Sequence, residues 1–254
     1  MKKADVGFAM GSGTEVAKEA GDITILDDNF LSIEKAILYG RTIFKNIRKF
    51  LIFQLTVNVS TVLLCFLAPL LGISQPLSIV SILYINLVMD TLAALAFGNE
   101  PALQRYMEEK PIKRSESILS KQMMAQIGSI GAYIVVVSLF ILLAGEGVWS
   151  LFAPGVETVS VTYKESAMLA FMMITVILNG FYARTDGFNV FEHIEENKMF
   201  LGVMCVVAIM LFVLITILGP AASLCPINVM TWVYMALLAF ASVLVDIVRK
   251  ALIK

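Results

Sequence analysis

The sequence is poor in charged residues, in histidine and in cysteine. Only 15% of its 254 residues are charged, whereas a soluble domain usually carries about a quarter. The three cysteines lie far apart in the chain, so neither a disulfide framework nor a thiolate metal site is predicted. The 19 basic residues are balanced by 20 acidic ones. This near-neutral charge argues against a nucleic-acid partner.

The sequence is instead rich in long apolar runs. The chain is 59% hydrophobic, with a mean hydropathy of +0.85. An apolar run of about 20 residues is long enough to cross a bilayer as a helix. The pattern therefore predicts an all-α membrane protein, a bundle of six transmembrane helices at about 46–70, 76–97, 122–144, 165–183, 199–218 and 228–248.

The basic residues predict how these helices are oriented. The short connections at 71–75 and 219–227 contain no Lys or Arg, whereas the connection at 98–121 contains five basic residues. Every Lys and Arg except Lys164 falls on one side of the predicted bundle. Because basic residues accumulate in cytoplasmic connections, both termini are predicted to be cytoplasmic.

The first 30 residues have a different character. "ADVGFAM" and "DITIL" are typical of strands, and "GSGTEVAKEA" predicts a turn with Ser12 or Thr14 capping a short helix. Two strands and one short helix make too small a core to fold alone. The pattern favours the end of an α/β domain, with a small cytoplasmic cap as the alternative.

One long helix is predicted to follow this segment. From about residue 31, apolar residues recur at helical spacing, with basic residues before Phe50 and apolar ones after it. The helix would begin in the cytoplasm and continue into the bilayer. It would carry motion between a soluble domain and the membrane, or serve as a simple basic anchor at the interface.

A carboxylate and an amide lie inside the second apolar run, in "SILYINLVMDTLAALAF" at residues 81–97. A charged side chain at the centre of a bilayer costs about 3 kcal/mol on insertion scales, so such residues face the bundle interior and mark ion or proton paths. Asn86 lies four residues before Asp90, on the same face if the helix is regular. Local unwinding would add backbone carbonyls to the site.

Further oxygen donors come from the first span, where Asn58, Ser60 and Thr61 lie at a similar depth. A set made only of oxygens favours a hard cation such as Ca²⁺ or Mg²⁺. The alternatives are that Asn58 and Asn86 hydrogen-bond between helices, that Asp90 is a protonated structural acid, and that the two hydroxyls bond their own backbone carbonyls.

At the cytoplasmic end of the last helix, Asp246 precedes Arg249 and Lys250, and we expect it to be an interfacial residue. The only histidine, His193, is expected to be a solvated residue of a polar connection.

The segments "KKADVGFAMGSGTEVAKEAGDITILDDNF", "FQLTVNV" and "INLVMDT" together resemble the C-terminal portion of P-type calcium-transporting ATPases, most closely the plasma-membrane type. The resemblance covers nearly the whole chain and is strongest over residues 3–111. It implies the end of the phosphorylation (P) domain at 1–30, a stalk and pump helices five and six at 31–97, a cytoplasmic loop at 98–121, and helices seven to ten at 122–254.

The resemblance also implies roles for particular residues. Asn86 and Asp90 resemble the sixth-helix ligands of the calcium site that these pumps share, and Asn58, a further candidate for cation binding, resembles the fifth-helix Asn nearby. Thr61 stands where two-site pumps have a carboxylate; it is the weakest candidate for the site. Two further departures are Met89, where such pumps have Thr, and Val176, where they have Glu. Fewer carboxylates imply one Ca²⁺ per cycle, with Mn²⁺ not distinguished from it.

Parts that the family needs for ATP hydrolysis do not occur in this sequence. The DKTGT phosphorylation motif and the TGDGxNDxPAL Mg²⁺-binding motif are both missing, as is the fourth-helix segment. ATP and Mg²⁺ are therefore implied only for a full-length pump, and no catalytic residue is assigned. We expect the chain alone neither to hydrolyse ATP nor to bind Ca²⁺ tightly. Its expected partners are the lipid bilayer and the missing N-terminal part of a pump, on the same or a separate chain.

Three functions remain open at this point. The preferred one is the membrane part of an ATP-driven calcium pump in the plasma membrane, with proton counter-transport through Asp90. The second is a non-catalytic fragment that binds and regulates a pump. The third is an autonomous passive cation carrier or channel with Asp90 as its selectivity residue.

Overall fold

The computed structural model describes residues 4–112, 116–185, 187, 189–192 and 194–252. His193, the basic residues Lys113 and Arg114, and the last basic residue, Lys254, lie outside this part of the chain. Six of the helices are long and apolar enough to cross a membrane: Phe30–Leu70, Ile79–Gly98, Lys121–Leu143, Val161–Arg184, Lys198–Thr216 and Val229–Leu252. The prediction of an all-α bundle with six spans is confirmed.

The elements follow one another in a simple order. The N-terminal elements are β1 (Phe8–Met10), α1 (Glu15–Glu19), β2 (Ile23–Ile25) and α2 (Phe30–Leu70). The second span consists of α3 (Ile79–Leu83), a π-helical segment (Tyr84–Met89) and α4 (Asp90–Gly98). The remaining helices are α5 (Arg105–Glu108), α6 (Lys121–Leu143), α7 (Glu146–Phe152), α8 (Val161–Arg184), α9 (Lys198–Thr216) and α10 (Val229–Leu252), with short 3₁₀ turns at Ile194–Glu196 and Gly219–Ala222.

The chain divides into two compact units. The N-terminal unit combines Met1–Asn46 with Pro101–Glu116, and the membrane unit combines Ile47–Glu100 with Ser117–Lys254. These boundaries follow compactness. The division into four segments drawn from the family resemblance stays a prediction.

Within the N-terminal unit, the predicted strand, helix and strand all form. The two strands pair in parallel, with Phe8 opposite Ile23. Thr14 is the residue that caps α1, accepting a hydrogen bond from the backbone N–H of Ala17. Gly11 directly follows β1. A Cβ atom at this position would come within 3.0 Å of a backbone oxygen of β2. Glycine is needed because the backbones approach so closely.

The connection after the second span also belongs to this unit in part. Arg41 of α2 donates from Nη1 to the backbone oxygens of Tyr106 and Glu109, at 2.5 and 2.7 Å. Lys45 pairs with the Glu109 carboxylate at 2.7 Å, and the Tyr106 side chain is buried. Residues 106–109 are therefore held against α2 and do not form a wholly solvated loop.

The membrane unit is built around α8. This helix is the most buried of the six spans, and it packs against α6, α9 and α10. The rings of Phe53, Phe97 and Phe200 join α2, α4 and α9, with centroids 5.5 and 5.6 Å apart. Such close aromatic contacts favour one relative position of the three helices.

Asp246, which we expected to be an interfacial residue, lies near the C-terminal end of α10, and its position relative to the membrane stays a prediction. Its side chain is buried on α10 and pairs with Arg249 at 2.6 Å and with Lys250 at 2.9 Å. Lys250 also donates to the backbone oxygen of Gly187. The carboxylate is buried because two cations, one helical turn further on, fold back over it.

Candidate functional site

Asp90 lies where the helix of the second span changes its form. The preceding segment, Tyr84–Met89, is a π-helix, and the Asp90 N–H bonds the carbonyl of Ile85 five residues back. Wide turns of this kind interrupt α-helices mostly as single turns, frequently at functional sites. The Asp90 side chain is buried, with 8% of its surface exposed. The helix thus departs from regular α-helical geometry next to this carboxylate.

Asn86 has a different environment from Asp90. It is exposed, and its side-chain amide donates to the carbonyl of Ile82 in its own helix at 3.2 Å. The expectation that both side chains share one face assumed a regular α-helix. In the structure Asn86 lies within the π-helical segment and is exposed, whereas Asp90 directly follows that segment and is buried.

Gln54 is the residue that contacts Asp90, and the sequence interpretation did not include it. Its Nε2 donates to Asp90 Oδ2 at 3.3 Å, which joins α2 to the second span. The other carboxylate oxygen, Oδ1, is buried and has no hydrogen-bond partner within the described ranges. A signal was available, because Gln54, Asn58 and Thr61 follow the i, i+4, i+7 spacing of one helix face.

The other candidate residues on α2 differ in whether their side chains form hydrogen bonds. Ser60 donates to the carbonyl of Thr56 at 2.5 Å, so it bonds its own backbone as expected. The Thr61 hydroxyl is buried and has no such partner in the part of the chain that the structure describes. Asn58 is half-buried. Thr61 and Asp90 are therefore two buried polar side chains, each with an oxygen that is not yet satisfied.

The two apolar residues that depart from the pattern of two-site pumps are part of the hydrophobic core. Met89 and Val176 are 1% and 0% exposed, and both belong to the main hydrophobic cluster. Apolar side chains offer no oxygen to a cation. These two positions accordingly supply packing to the bundle.

A second buried carboxylate, Glu100, lies just beyond the second span. Its Oε1 accepts from Arg184 Nε and from Asn197 Nδ2, both at 2.6 Å, and its Oε2 accepts from Lys49 Nζ at 2.8 Å. Burial raises its pKa, but the neighbouring Lys49 and Arg184 cations outweigh this and hold the pKa of Glu100 below its usual value. We refer to Glu100, Lys49, Arg184 and Asn197 as the Glu100 cluster.

The residues around Asp90 limit which groups could bind a cation there. Among the described residues no group of three or more His, Cys, Asp and Glu lies close enough to hold a metal ion. A cation at Asp90 would therefore depend on one carboxylate and on neutral oxygens. Such a ligand set suits a hard cation that accepts carboxylate, amide and backbone oxygens.

Comparison with known proteins agrees with this description. Residues 74–252 match the family model described as "Cation transporting ATPase, C-terminus". The chain is 35% identical to a plasma membrane calcium-transporting ATPase of Caenorhabditis elegans and 36% identical to plasma membrane calcium-transporting ATPase 1 of Gallus gallus, in each case over 96% of this chain. It is 36% identical over 91% of its length to calcium-transporting ATPase 10, plasma membrane-type, of Arabidopsis thaliana.

These alignments cover 20%, 21% and 22% of the three relatives, so the chain spans about a fifth of their length. The family match covers more than half of the chain, and the six spanning helices fit a membrane region. The chain belongs to the cation-transporting P-type ATPases and corresponds to their C-terminal membrane portion.

Proposed function

We propose that this chain supplies part of one transmembrane Ca²⁺ site in an ATP-driven pump of the plasma membrane. The observation that carries the proposal is Asp90, a carboxylate buried inside a spanning helix, beside a π-helical turn, with one oxygen left without a partner among the described residues. A buried polar atom without a hydrogen bond is costly. A bound cation would satisfy it.

Asn86 and Asn58 are proposed to join Asp90 as ligands, with Thr61 as a weaker candidate. Asn86 now bonds the Ile82 carbonyl, so it would have to turn inward when the ion binds. Thr61 and Val176 stand where two-site pumps have carboxylates, so this chain lacks the negative charge that a second Ca²⁺ would need, and this supports a single ion per cycle. The relatives named calcium-transporting ATPases support Ca²⁺ as the ion.

The remaining parts of the pump are proposed to lie outside this chain. ATP hydrolysis and its Mg²⁺ would belong to those parts, and their movements would reach the site through α2. Both termini are proposed to be cytoplasmic, because the basic residues gather on that side. Residues of the N-terminal unit would form the end of the phosphorylation domain.

Calcium binding to the purified chain in lipid nanodiscs tests the proposal. We expect weak, saturable ⁴⁵Ca²⁺ binding, with a Kd on the order of 10⁻³ M, as in sites with few charged ligands. Asp90→Asn should abolish it. Asp246→Asn is the matched control, because it makes the same change at a buried carboxylate that is already paired.

Two results would overturn the proposal: wild-type chain that shows no saturable binding, or Asp90→Asn chain that binds Ca²⁺ as the wild type does. Measuring ⁴⁵Ca²⁺ flux into liposomes without ATP distinguishes a passive carrier. Flux that depends on Asp90 would favour that function over the pump.

A further inference from the structure

We infer that Gln54 is a cation ligand that also holds the empty site: its amide N–H bonds Asp90 when no ion is present, and its carbonyl oxygen binds the ion when one enters. This rests on the proposed function, because it concerns the same site. Neither the spacing in "INLVMDT" nor the resemblance assigned Gln54 a role.

The contact between Gln54 and Asp90 is the first observation that supports this role. Gln54 Nε2 lies 3.3 Å from Asp90 Oδ2, a long contact for a hydrogen bond between an amide and a carboxylate. It links α2 to the residue at which the π-helical segment gives way to α4. A weak bond at this position stabilises a buried carboxylate yet can be exchanged for a stronger partner.

The second step is the number of ligands that Ca²⁺ requires. Ca²⁺ takes six to eight oxygens, and Asp90 can supply at most two. Gln54 contacts that carboxylate, and its side chain carries a further oxygen. It shares a helix face with Asn58 and Thr61, so the three residues place oxygens along one side of α2 over about 10 Å.

The third step is the chemistry of the amide. A cation bound to Asp90 would repel an amide N–H directed at the same carboxylate. The terminal torsion of glutamine is broad and roughly two-fold, so half a turn replaces Nε2 with Oε1. The same side chain can therefore donate to Asp90 in the empty site and accept the cation in the occupied one.

Substitution of Gln54 in the nanodisc-bound chain tests the inference. Gln54→Leu removes both amide atoms and should weaken ⁴⁵Ca²⁺ binding on the order of tenfold. Gln54→Glu keeps an oxygen at the same position and should bind at least as tightly as the wild type. Gln126→Leu is the matched control, since Gln126 is a buried amide on another spanning helix, α6.

A spectroscopic readout separates a ligand from a structural residue. In chain labelled with ¹³C at the glutamine side-chain carbonyl, one solid-state NMR signal should move when Ca²⁺ is added. That signal should be missing in Gln54→Leu and should still move in Gln126→Leu. A structural role for Gln54 would change the affinity without moving its carbonyl signal.

The outcomes are distinguishable from those of the proposed function. If the wild type binds Ca²⁺, Asp90→Asn does not, and Gln54→Leu binds as the wild type does, the role of Gln54 is overturned and the site stands. A Gln54 carbonyl signal that is unchanged by Ca²⁺ also overturns it. If the wild type shows no saturable binding, the site and its Gln54 ligand fail together.

Discussion

Asp90 and Glu100 are two buried carboxylates ten residues apart in one chain, and their surroundings are opposite. Within the described part of the chain, Glu100 accepts short hydrogen bonds from Arg184, Asn197 and Lys49. Asp90 accepts one long bond from Gln54 and leaves its second oxygen without a partner in the described residues. A carboxylate that is fully paired is suited to hold helices together, whereas an incompletely paired one can accept a ligand.

The two carboxylates also differ in the helices and connections that they join. The Glu100 cluster brings together the connection after α4, α2, the last residue of α8 and Asn197, the cap of α9. Asn197 accepts the Phe200 N–H while it donates to Glu100, so it caps the helix and binds the carboxylate at once. The contact at Asp90 joins only α2 and the second span. The Glu100 cluster therefore shares α2 with the contact at Asp90 and also includes the ends of α8 and α9.

The largest expected effect comes from breaking the paired region. Glu100→Gln leaves the Lys49 and Arg184 cations without their shared carboxylate, and removal of one partner from a buried ion pair costs about 3 kcal/mol or more. We expect the free energy of unfolding, measured by SDS titration of the chain in mixed micelles, to fall by about that amount. Lys18→Gln, in an exposed pair with Glu15, is the control and should change it by less than about 0.5 kcal/mol.

Equal stability of Glu100→Gln and the wild type would show that the cluster does not hold the helices together. The comparison with Asp90 would then lose its basis.

Acidification should weaken the same region in a defined range of pH. The pKa of Glu100 is lower in the folded chain than its usual value, so its contribution to stability is fully present above that usual value, about pH 4.3. It is lost as the pH falls through the lower folded value. We expect the wild type to lose more stability than Glu100→Gln between about pH 5 and pH 3.

The measurement is SDS unfolding of both chains at a series of pH values. Parallel curves for wild type and variant would contradict the prediction, because Glu100 would then contribute nothing that depends on pH.

The smallest expected effect on stability is at the incompletely paired carboxylate. Asp90→Asn loses one long hydrogen bond and removes a buried charge, and these two changes oppose each other. We expect the free energy of unfolding to change by less than about 1 kcal/mol in the absence of Ca²⁺, in the same SDS titration.

A loss at Asp90→Asn as large as that at Glu100→Gln would show that both carboxylates are structural. If Asp90→Asn loses Ca²⁺ binding but changes the free energy of unfolding only slightly, Asp90 serves binding and Glu100 serves stability.

Much of the fold could be predicted from the sequence. The six spans are confirmed, because apolar runs of sufficient length leave few alternatives in a bilayer. Thr14 as a helix cap and the two short strands were also predicted correctly. These features depend on neighbouring residues, so the local pattern contains the necessary information.

The surroundings of the site were less predictable. Asp90 was identified because a carboxylate within an apolar run is rare. Gln54 lies 36 residues away in the sequence, and nothing in "FQLTVNV" indicates that it contacts Asp90. Whether Asn86 and Asp90 are exposed or buried was not evident from their spacing. The sequence analysis did not single out Glu100, because the partners that surround this carboxylate are distant in the chain.

The sequence by itself determined the membrane class, the number of spans and the carboxylate at the centre of the proposed site, because hydropathy and its exceptions are read directly from residue order. Only the tertiary structure decided that Asp90 is left incompletely paired while Glu100 is surrounded by donors. Hydrogen bonding and burial depend on which helices meet, and the partners of both carboxylates come from other helices, up to 97 residues away.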